Sequence, residues 1–336
     1  MPNRTPACTK RSTYSTSKKP LRSYDSSKNK AVCFFSASST GDFQQLYDFG
    51  IRETLVSYFY IKKSLSYWDE MLPKFKKEGG IFMTDSGAFS FMAKFKEDSP
   101  EYDKMGTEEF WLPYLEEYVS WLRAHKNYIF CAANLDIDTI VGYNVVDKWN
   151  KHYFEPLEKE TGIQIVYVAH GINYDWEFMR RFKEYCQKYH YVGANQSQKK
   201  NSAQIYQMVK YYKVRIHGFA WTDLPLLRKH PFFSVDSVTW LGGVRFGITY
   251  DYDGKNFRSI DSKKKYIRKV RKVKFRDEGL DLEGIADEKR VPINQMNLLG
   301  WMGFRSEFLK VANLKLHNKN VNYYERKYRE EDASHS

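Results

Sequence analysis

From about Ala31 to Val238, short apolar runs alternate with stretches in which apolar residues recur every three or four positions. The runs are Val32–Phe35, Leu55–Tyr60, Ile81–Thr84, Tyr128–Leu135, Ile163–Ala169, Tyr191–Val192, Val214–Phe219 and Phe232–Val235. Near-continuous apolar runs of this kind read as strands buried on both faces, as in a parallel sheet. Between them the spacing predicts helices at Leu65–Lys77, interrupted by Pro73, and at Tyr174–Tyr189 and Ser202–Tyr212. A further helix over Glu108–His125 is capped by Thr107 and has Glu108 and Glu109 in its first turn. Eight such repeats within roughly 250 residues predict an α/β fold, a (β/α)8 TIM barrel. A doubly wound open sheet is the alternative, because periodicity does not report closure. After Asp236 the pattern changes. Gly242, Gly243 and Gly247 mark a loop, and Ile293–Leu314 predicts a long helix despite Gly300 and Gly303. That helix either completes the barrel or forms a C-terminal subdomain.

Composition adds a core and a partner class. The 336 residues include 8 Trp, 26 Tyr and 23 Phe, enough apolar material to exclude wholesale disorder. The net charge is +13, and it is unevenly placed. Residues 1–30 hold eight Lys/Arg against Asp25 alone, and residues 255–276 hold eleven against Asp261 alone, which leaves −4 for the remainder. The organisation expected is a flexible basic arm (1–30), a catalytic barrel (31–254), and a basic segment with a helical region (255–336). Clustered cations point to a polyanion, with nucleic acid ahead of a membrane surface. Cys8, Cys33, Cys131 and Cys186 show no C-x-x-C spacing, which argues against a disulfide framework and a Cys-rich zinc site. A reducing compartment, the cytoplasm, is expected. No uncharged apolar run approaches the roughly eighteen residues of a membrane span, so no membrane partner is expected. The arm is Ser- and Arg-containing and acid-poor like a transit peptide, but its lack of apolar residues reads as a solvated tail.

Catalytic groups of barrels sit at the C-terminal ends of strands. The third run leads into Asp85-Ser86-Gly87, the fourth into Asp136-Ile137-Asp138, the fifth into His170-Gly171, the sixth into Gly193-Ala194-Asn195 and the eighth into Asp236-Ser237. Each has an ordinary structural explanation. Asp85 and Asp236 suit helix caps or turns. Asp136 and Asp138 suit a loop pair or a divalent cation. His170 suits a satisfied structural histidine. Their convergence on one rim favours chemistry, because buried carboxylates are costly without a reason. Two carboxylates flanking one bond suit displacement at an anomeric carbon, one attacking C1 and the other handling the leaving group's proton.

Thr84-Asp85-Ser86-Gly87-Ala88-Phe89 resembles the T-D-S-G-G-[FY] signature of the tRNA-guanine transglycosylase family. In the same order, Leu135-Asp136-Ile137 is similar to its base-recognising segment, and Val168-Ala169-His170-Gly171 to its V-Q-G element with His170 in place of Gln. Gly193 falls at its Gly-rich sixth strand. Phe233-Ser234-Val235-Asp236-Ser237-Val238 resembles its F-D-C-V nucleophile segment, and Arg245 with Gly247 its R-x-G loop. The resemblance spans about Ala31 to Ile248. It implies that Asp236 attacks C1′ of a nucleotide and that Asp85 is the general acid/base. Asp136 would accept from the purine's Watson–Crick edge, and His170 and the Gly193 backbone would meet its carbonyl side. Ser86, Gly87 and Gly171 would adjoin the base, Arg245 would hold a flanking phosphate, and Phe89 or Tyr143 would stack on the base.

Two departures matter. Ala88 replaces the second Gly of the signature, and the family's zinc site after the nucleophile is missing, since no cysteine follows Cys186. No metal and no cofactor are expected. The zinc-free chain resembles more closely the relatives that insert 7-deazaguanine bases into DNA, the deoxypurine-in-DNA protein A family. These occur in bacterial modification clusters and in viruses, so a virus-encoded protein acting in its host's cytoplasm also fits. The implied partners are DNA, with tRNA as the alternative, and a preQ0-like 7-deazaguanine base. Accessory modification proteins are a further class. Lys263, Lys264, Lys265, Arg268, Lys269, Arg271 and Lys272 are the candidate phosphate contacts. A non-catalytic nucleic-acid-binding barrel is the reading from another class.

Overall fold

The computed structural model describes residues 30–87, 104–171, 175–243, 248–260, 279–287 and 289–316. Eight parallel strands close on themselves: β1 (Val32–Ala37), β2 (Glu53–Val56), β3 (Ile81–Thr84), β4 (Ile129–Ala133), β5 (Gln164–Val168), β6 (Tyr191–Asn195), β7 (Arg215–Phe219) and β8 (Ser234–Ser237). Closure is the pairing of β1 with β8, with Phe34 opposite Asp236 and Phe35 opposite Ser237. The open-sheet alternative is thereby excluded, and the fold is the (β/α)8 barrel.

The intervening helices are α1 (Thr40–Asp48), α2 (Tyr58–Ile61), α3 (Leu65–Lys77), α4 (Glu108–Ala124), α5 (Asp138–Val141), α6 (Tyr143–Trp149), α7 (Glu155–Thr161), α8 (Asp175–Lys188), α9 (Ser202–Tyr212) and α10 (Leu224–Lys229). A π-helical turn over Asn150–Phe154 joins α6 to α7. Side chains alternate across each strand, so two cores form. Cys33, Phe35 and Ala37 pack outward under the helices, whereas Val32, Phe34, Leu55, Met83, Val166 and Val168 fill the barrel interior. Glu53 shares the inward face of Leu55 and pairs with Arg305 from the C-terminal helix.

Several sequence expectations shift. The second apolar run is one strand only to Val56. Tyr58, Phe59 and Ile61 belong to α2, and their apolar character serves packing, with Tyr58 lying 5.6 Å from Tyr114 and 5.1 Å from Tyr118 of α4. Thr107 does precede α4 in extended backbone, but its hydroxyl donates back to Lys104 O at 2.7 Å rather than capping the helix. The last strand lies later than the run Phe232–Val235, so Asp236 sits inside β8 and is not a helix cap.

Past the barrel, β9 (Thr249–Tyr252) and β10 (Phe257–Ile260) form an antiparallel hairpin. The expected boundary at 254/255 falls in its turn, so it divides one structural unit. Helix α11 (Leu282–Ala286) precedes α12 (Arg290–Leu316), which is longer at both ends than the predicted helix. Gly300 and Gly303 are contact points in α12, because a Cβ at Gly300 would stand 2.6 Å from Tyr250 O of β9. Helix α12 also reaches the barrel. Asn313 Oδ1 accepts from Ala31 N at 2.9 Å, and Arg228 of α10 donates to Glu307 at 3.0 Å. The C-terminal region therefore packs onto the barrel. Nearly all of the N-terminal arm, and the cationic residues from Lys263 to Lys272, lie outside the described residues.

Candidate active site

A pocket of about 530 Å³ opens at the C-terminal ends of the strands. That volume lies within the range of small-molecule sites. Its wall on the β3–β5 side carries Asp85, Ser86, Gly87, Asp136 and His170, and the opposite wall carries Asn195, Gln196, Ser197, Phe219 and Ala220.

Buried hydroxyls on α4 clamp the first wall. Tyr114 donates to Ser86 O at 2.5 Å and Tyr118 to Ala133 O at 2.9 Å. The aromatic spacing of α4 therefore fixes where β3 and β4 release the chain. Gly87 has φ +73, and a Cβ there would stand 2.2 Å from Ser57 Oγ and 2.5 Å from Phe59 Cβ. Only glycine fits a turn that is both left-handed and this close to its neighbour. This turn holds Asp85 against the end of β2, where Tyr58 N donates to Asp85 O at 2.9 Å.

Asp136 ties three strand ends together. Its Oδ1 accepts from Ser86 Oγ at 3.3 Å, and its Oδ2 lies 2.9 Å from His170 Nε2. Burial pulls the His170 imidazole down, but the Asp136 hydrogen bond and the Asp136 and Asp138 charges outweigh it, so its pKa ends raised. Two of the roughly four acceptor positions of Asp136 are used, which leaves capacity for a ligand's N–H groups.

Asp85 is in a poorer environment for charge. Its Oδ1 is buried with no hydrogen-bond partner among the described residues. Burial pushes the carboxyl up to about 7; the Asp136 and Asp236 charges add to this, while the nearby Ser57 hydroxyl and Gly87 amide oppose it. Asp138 resembles it, with neither oxygen hydrogen-bonded among the described residues. Burial raises Asp138 to about 6, with Asp136 adding and His170 and Arg181 opposing. Among the described residues no group of three or more His, Cys, Asp or Glu side chains is placed to hold a metal ion.

Asp236 is surrounded by donors. Its Oδ2 accepts from Ser36 Oγ at 2.7 Å, and its Oδ1 from Ala220 N at 2.9 Å, with His217 Nε2 at 3.3 Å. The side chain retains 12% exposure and is not among the residues lining the pocket, but it accepts from Ala220 N, whose residue does line it.

The sequence-derived residues thus separate into groups. Asp85, Ser86, Gly87, Asp136 and His170 share one pocket, and Asp236 adjoins it. Gly193 lies within β6, where its carbonyl accepts from Ala169 N at 3.1 Å, and it does not line the pocket. Its missing side chain makes room for Phe219, since a Cβ would stand 2.9 Å from that ring. Gly171 follows His170 and is likewise not a lining residue. Tyr143 is not among the residues lining this pocket. Its hydroxyl supports His170 O at 3.4 Å and its ring carries the Arg181 guanidinium at 4.6 Å. Phe89, Arg245 and Gly247 lie outside the described residues.

Sequence reading missed His217, Ser36, Phe219 and Ala220. Arg215-Ile216-His217-Gly218-Phe219 alternates inward and outward like any strand, so a polar residue at the inward position His217 was the available signal. Ala220 carried none, because its φ of +53 is a property of the folded turn.

No protein-family model matches the chain, and no curated protein matches it. Among solved structures, the catalytic domain of β-amylase from Paenibacillus polymyxa is similar at 10% identity and TM-score 0.39, covering 63% of this chain and 94% of that one. Tryptophan synthase from M. tuberculosis is similar at 10% identity and TM-score 0.40, covering 64% and 86%. The barrel itself rests on this chain's own strand pairing, and the fold hosts many unrelated chemistries. No helix among the described residues is long and apolar enough to cross a membrane.

Proposed function

We propose that the chain is a nucleic-acid base-exchanging transglycosylase, replacing guanine in DNA with a 7-deazaguanine base through a covalent aspartyl–sugar intermediate. The observation that carries this reading is the pair of carboxylates with opposite surroundings at one barrel mouth: Asp236 held by donors, and Asp85 buried and pushed up to about 7. These contrasting surroundings support an acid/base role for Asp85 and a nucleophile role for Asp236.

In the first half-reaction an Asp236 oxygen bonds to C1′ while the C1′–N9 pair leaves with guanine. Asp85, protonated, gives its proton to the departing base. In the second half the incoming base returns a proton to Asp85, its nitrogen bonds to C1′, and the carboxylate leaves with its electron pair. Two inversions retain the configuration. Asp136 meets the base's N–H groups, and His170 borders the same edge. A base inside a duplex has to be extruded to reach this pocket, at a cost of a few kcal/mol that phosphate contacts offset. The cations of residues 255–276 suit that task.

The test incubates the full chain with guanine-containing DNA, tRNA and a labelled 7-deazaguanine. Label entering DNA, and its loss in Asp236→Asn, is the expected result. Preferential labelling of tRNA would support the tRNA-modifying alternative instead. Binding without exchange or adduct would support a non-catalytic module.

A further inference from the structure

Below the pocket, the barrel interior contains a polar chain that the base-exchange scheme does not use. His217 of β7 is completely buried, with Nε2 3.3 Å from Asp236 Oδ1 and Nδ1 2.7 Å from Ser234 Oγ. The Tyr191 hydroxyl of β6 reaches the same Ser234 oxygen. Apolar rings enclose this chain: Phe219 lies 4.3 Å and Phe34 6.1 Å from the imidazole, and Phe233 lies 5.6 Å from Tyr191. A barrel interior is ordinarily filled with branched apolar side chains. Buried polar groups here need a purpose beyond packing.

The direction of the chain follows from its end. A carboxylate only accepts, so Nε2 carries the hydrogen and donates to Asp236. The same Oδ1 also accepts from Ala220 N at 2.9 Å. Ala220 has φ +53, a left-handed conformation disfavoured for alanine, and that strained turn is what aims its N–H at the carboxylate. Oδ1 therefore receives two donors, whereas Oδ2 receives one, from Ser36 Oγ at 2.7 Å. Of the four acceptor positions of the carboxylate, the open one is on Oδ2.

We propose that His217 is a positioning residue that, with Ala220 N–H, pins Oδ1 and leaves Oδ2 as the oxygen that bonds to C1′, with Ser234 and Tyr191 holding the imidazole in place. This rests on the transglycosylase reading. During attack the Oδ2–C1′ bond forms as the C1′–N9 pair departs with the base, which takes the Asp85 proton. On return the Oδ2–C1′ bond breaks and its electron pair goes back to the carboxylate. The Oδ1 donors stabilise the carboxylate most when it is fully charged, so they favour its departure. Removing His217 therefore slows resolution of the adduct more than its formation.

The experiment compares wild type, His217→Leu and His217→Gln in label exchange and in the fraction of protein carrying a covalent sugar adduct. Glutamine keeps an N–H near the place of Nε2; leucine does not. His217→Leu is expected to lower kcat roughly 10–100-fold, the scale of losing a hydrogen bond to a charge, with KM changed less than about threefold. The adducted fraction rises above wild type, and His217→Gln recovers most of the rate. Equal rates in His217→Leu and wild type, or equal losses in both variants, would overturn the proposal. If either His217 variant fails to fold, Ser234→Ala and Tyr191→Phe decide. Each is expected to lower kcat several-fold at unchanged KM, and wild-type behaviour in both overturns the proposal. A wild-type protein that incorporates label into neither DNA nor tRNA overturns the transglycosylase reading and this proposal with it. That result is distinct from active wild type with indifferent His217.

Discussion

On the β7–β8 side of the pocket, Asp236 accepts hydrogen bonds from Ser36 and Ala220 and faces His217 Nε2. On the β3–β4 side, Asp85 and Asp138 hold buried oxygens with no hydrogen-bond partner among the described residues. Both sides offer aspartates at strand ends inside one barrel, yet one carboxylate is met by aimed donors and the other keeps a buried oxygen with no hydrogen-bond partner among the described residues. The difference arises from which backbone and hydroxyl groups the neighbouring strands present. Burial by itself favours protonation of a carboxyl, and donors aimed at its oxygens or nearby positive charges oppose that. Two carboxylates with opposite surroundings therefore stand at the same barrel mouth.

The largest expected effect breaks the donor-rich side. In the proposed exchange Asp236→Asn removes the attacking carboxylate and is expected to lower the rate by on the order of 10⁴-fold, with no sugar adduct by mass spectrometry. Substrate binding is expected to persist, as measured by gel shift.

Next comes the other side. Asp85→Asn is expected to lower exchange by about 10²–10⁴-fold, the range of a general acid/base. In the proposed scheme base release requires the protonated Asp85 carboxyl, which burial raises to about 7. Adduct formation in the wild type should therefore fall as pH rises through about 7, and in Asp85→Asn that limb should disappear. A wild-type rate flat from pH 6 to 9 would remove Asp85 from the acid role.

A stability measurement sharpens the contrast. Asp138 is raised to about 6, so between roughly pH 4 and 6 the folded chain keeps a proton that the unfolded chain releases. Stability contributed by this site falls as pH rises through that window, and the full penalty stands above pH 6. Asp138→Asn is expected to stabilise the protein at pH 8 by up to about 3 kcal/mol, with the gain vanishing near pH 4. Urea denaturation at both pH values checks it. The same substitution should not alter the pH limb assigned to Asp85.

The smallest effect concerns backbone strain beside Asp236. Ala220→Gly relieves the left-handed conformation and is expected to raise stability by at most about 1 kcal/mol. If the strained turn aims the N–H, the more flexible glycine should also slow exchange by a few-fold.

The β3 strand was legible to the residue as a short run buried on both faces, and Leu65–Lys77 and Ser202–Tyr212 because their apolar spacing serves one packing face each. Tyr58, Phe59 and Tyr60 misled, since a buried helical turn and a buried strand are both continuously apolar at that length. In the site, Asp85, Asp136 and His170 were legible from their positions after strands, and they do share a pocket. Tyr143 was not, because an aromatic near a rim can support a loop as readily as face a ligand.

By itself, the sequence determined the approximate places of the eight barrel strands and of the main helices between them, since two-sided burial demands apolar runs and one-sided burial demands helical spacing. It also determined that acidic residues end the strands and that the excess positive charge lies outside them. Closure of the barrel, the pairing of Phe34 with Asp236, and the donors on that carboxylate were decided only by the tertiary structure. Ser36 and Asp236 are 200 positions apart in the chain, and no local pattern encodes a contact at that separation. A carboxylate's charge state depends on what surrounds it in space, so the chemistry of these aspartates could not be read until the strands had met.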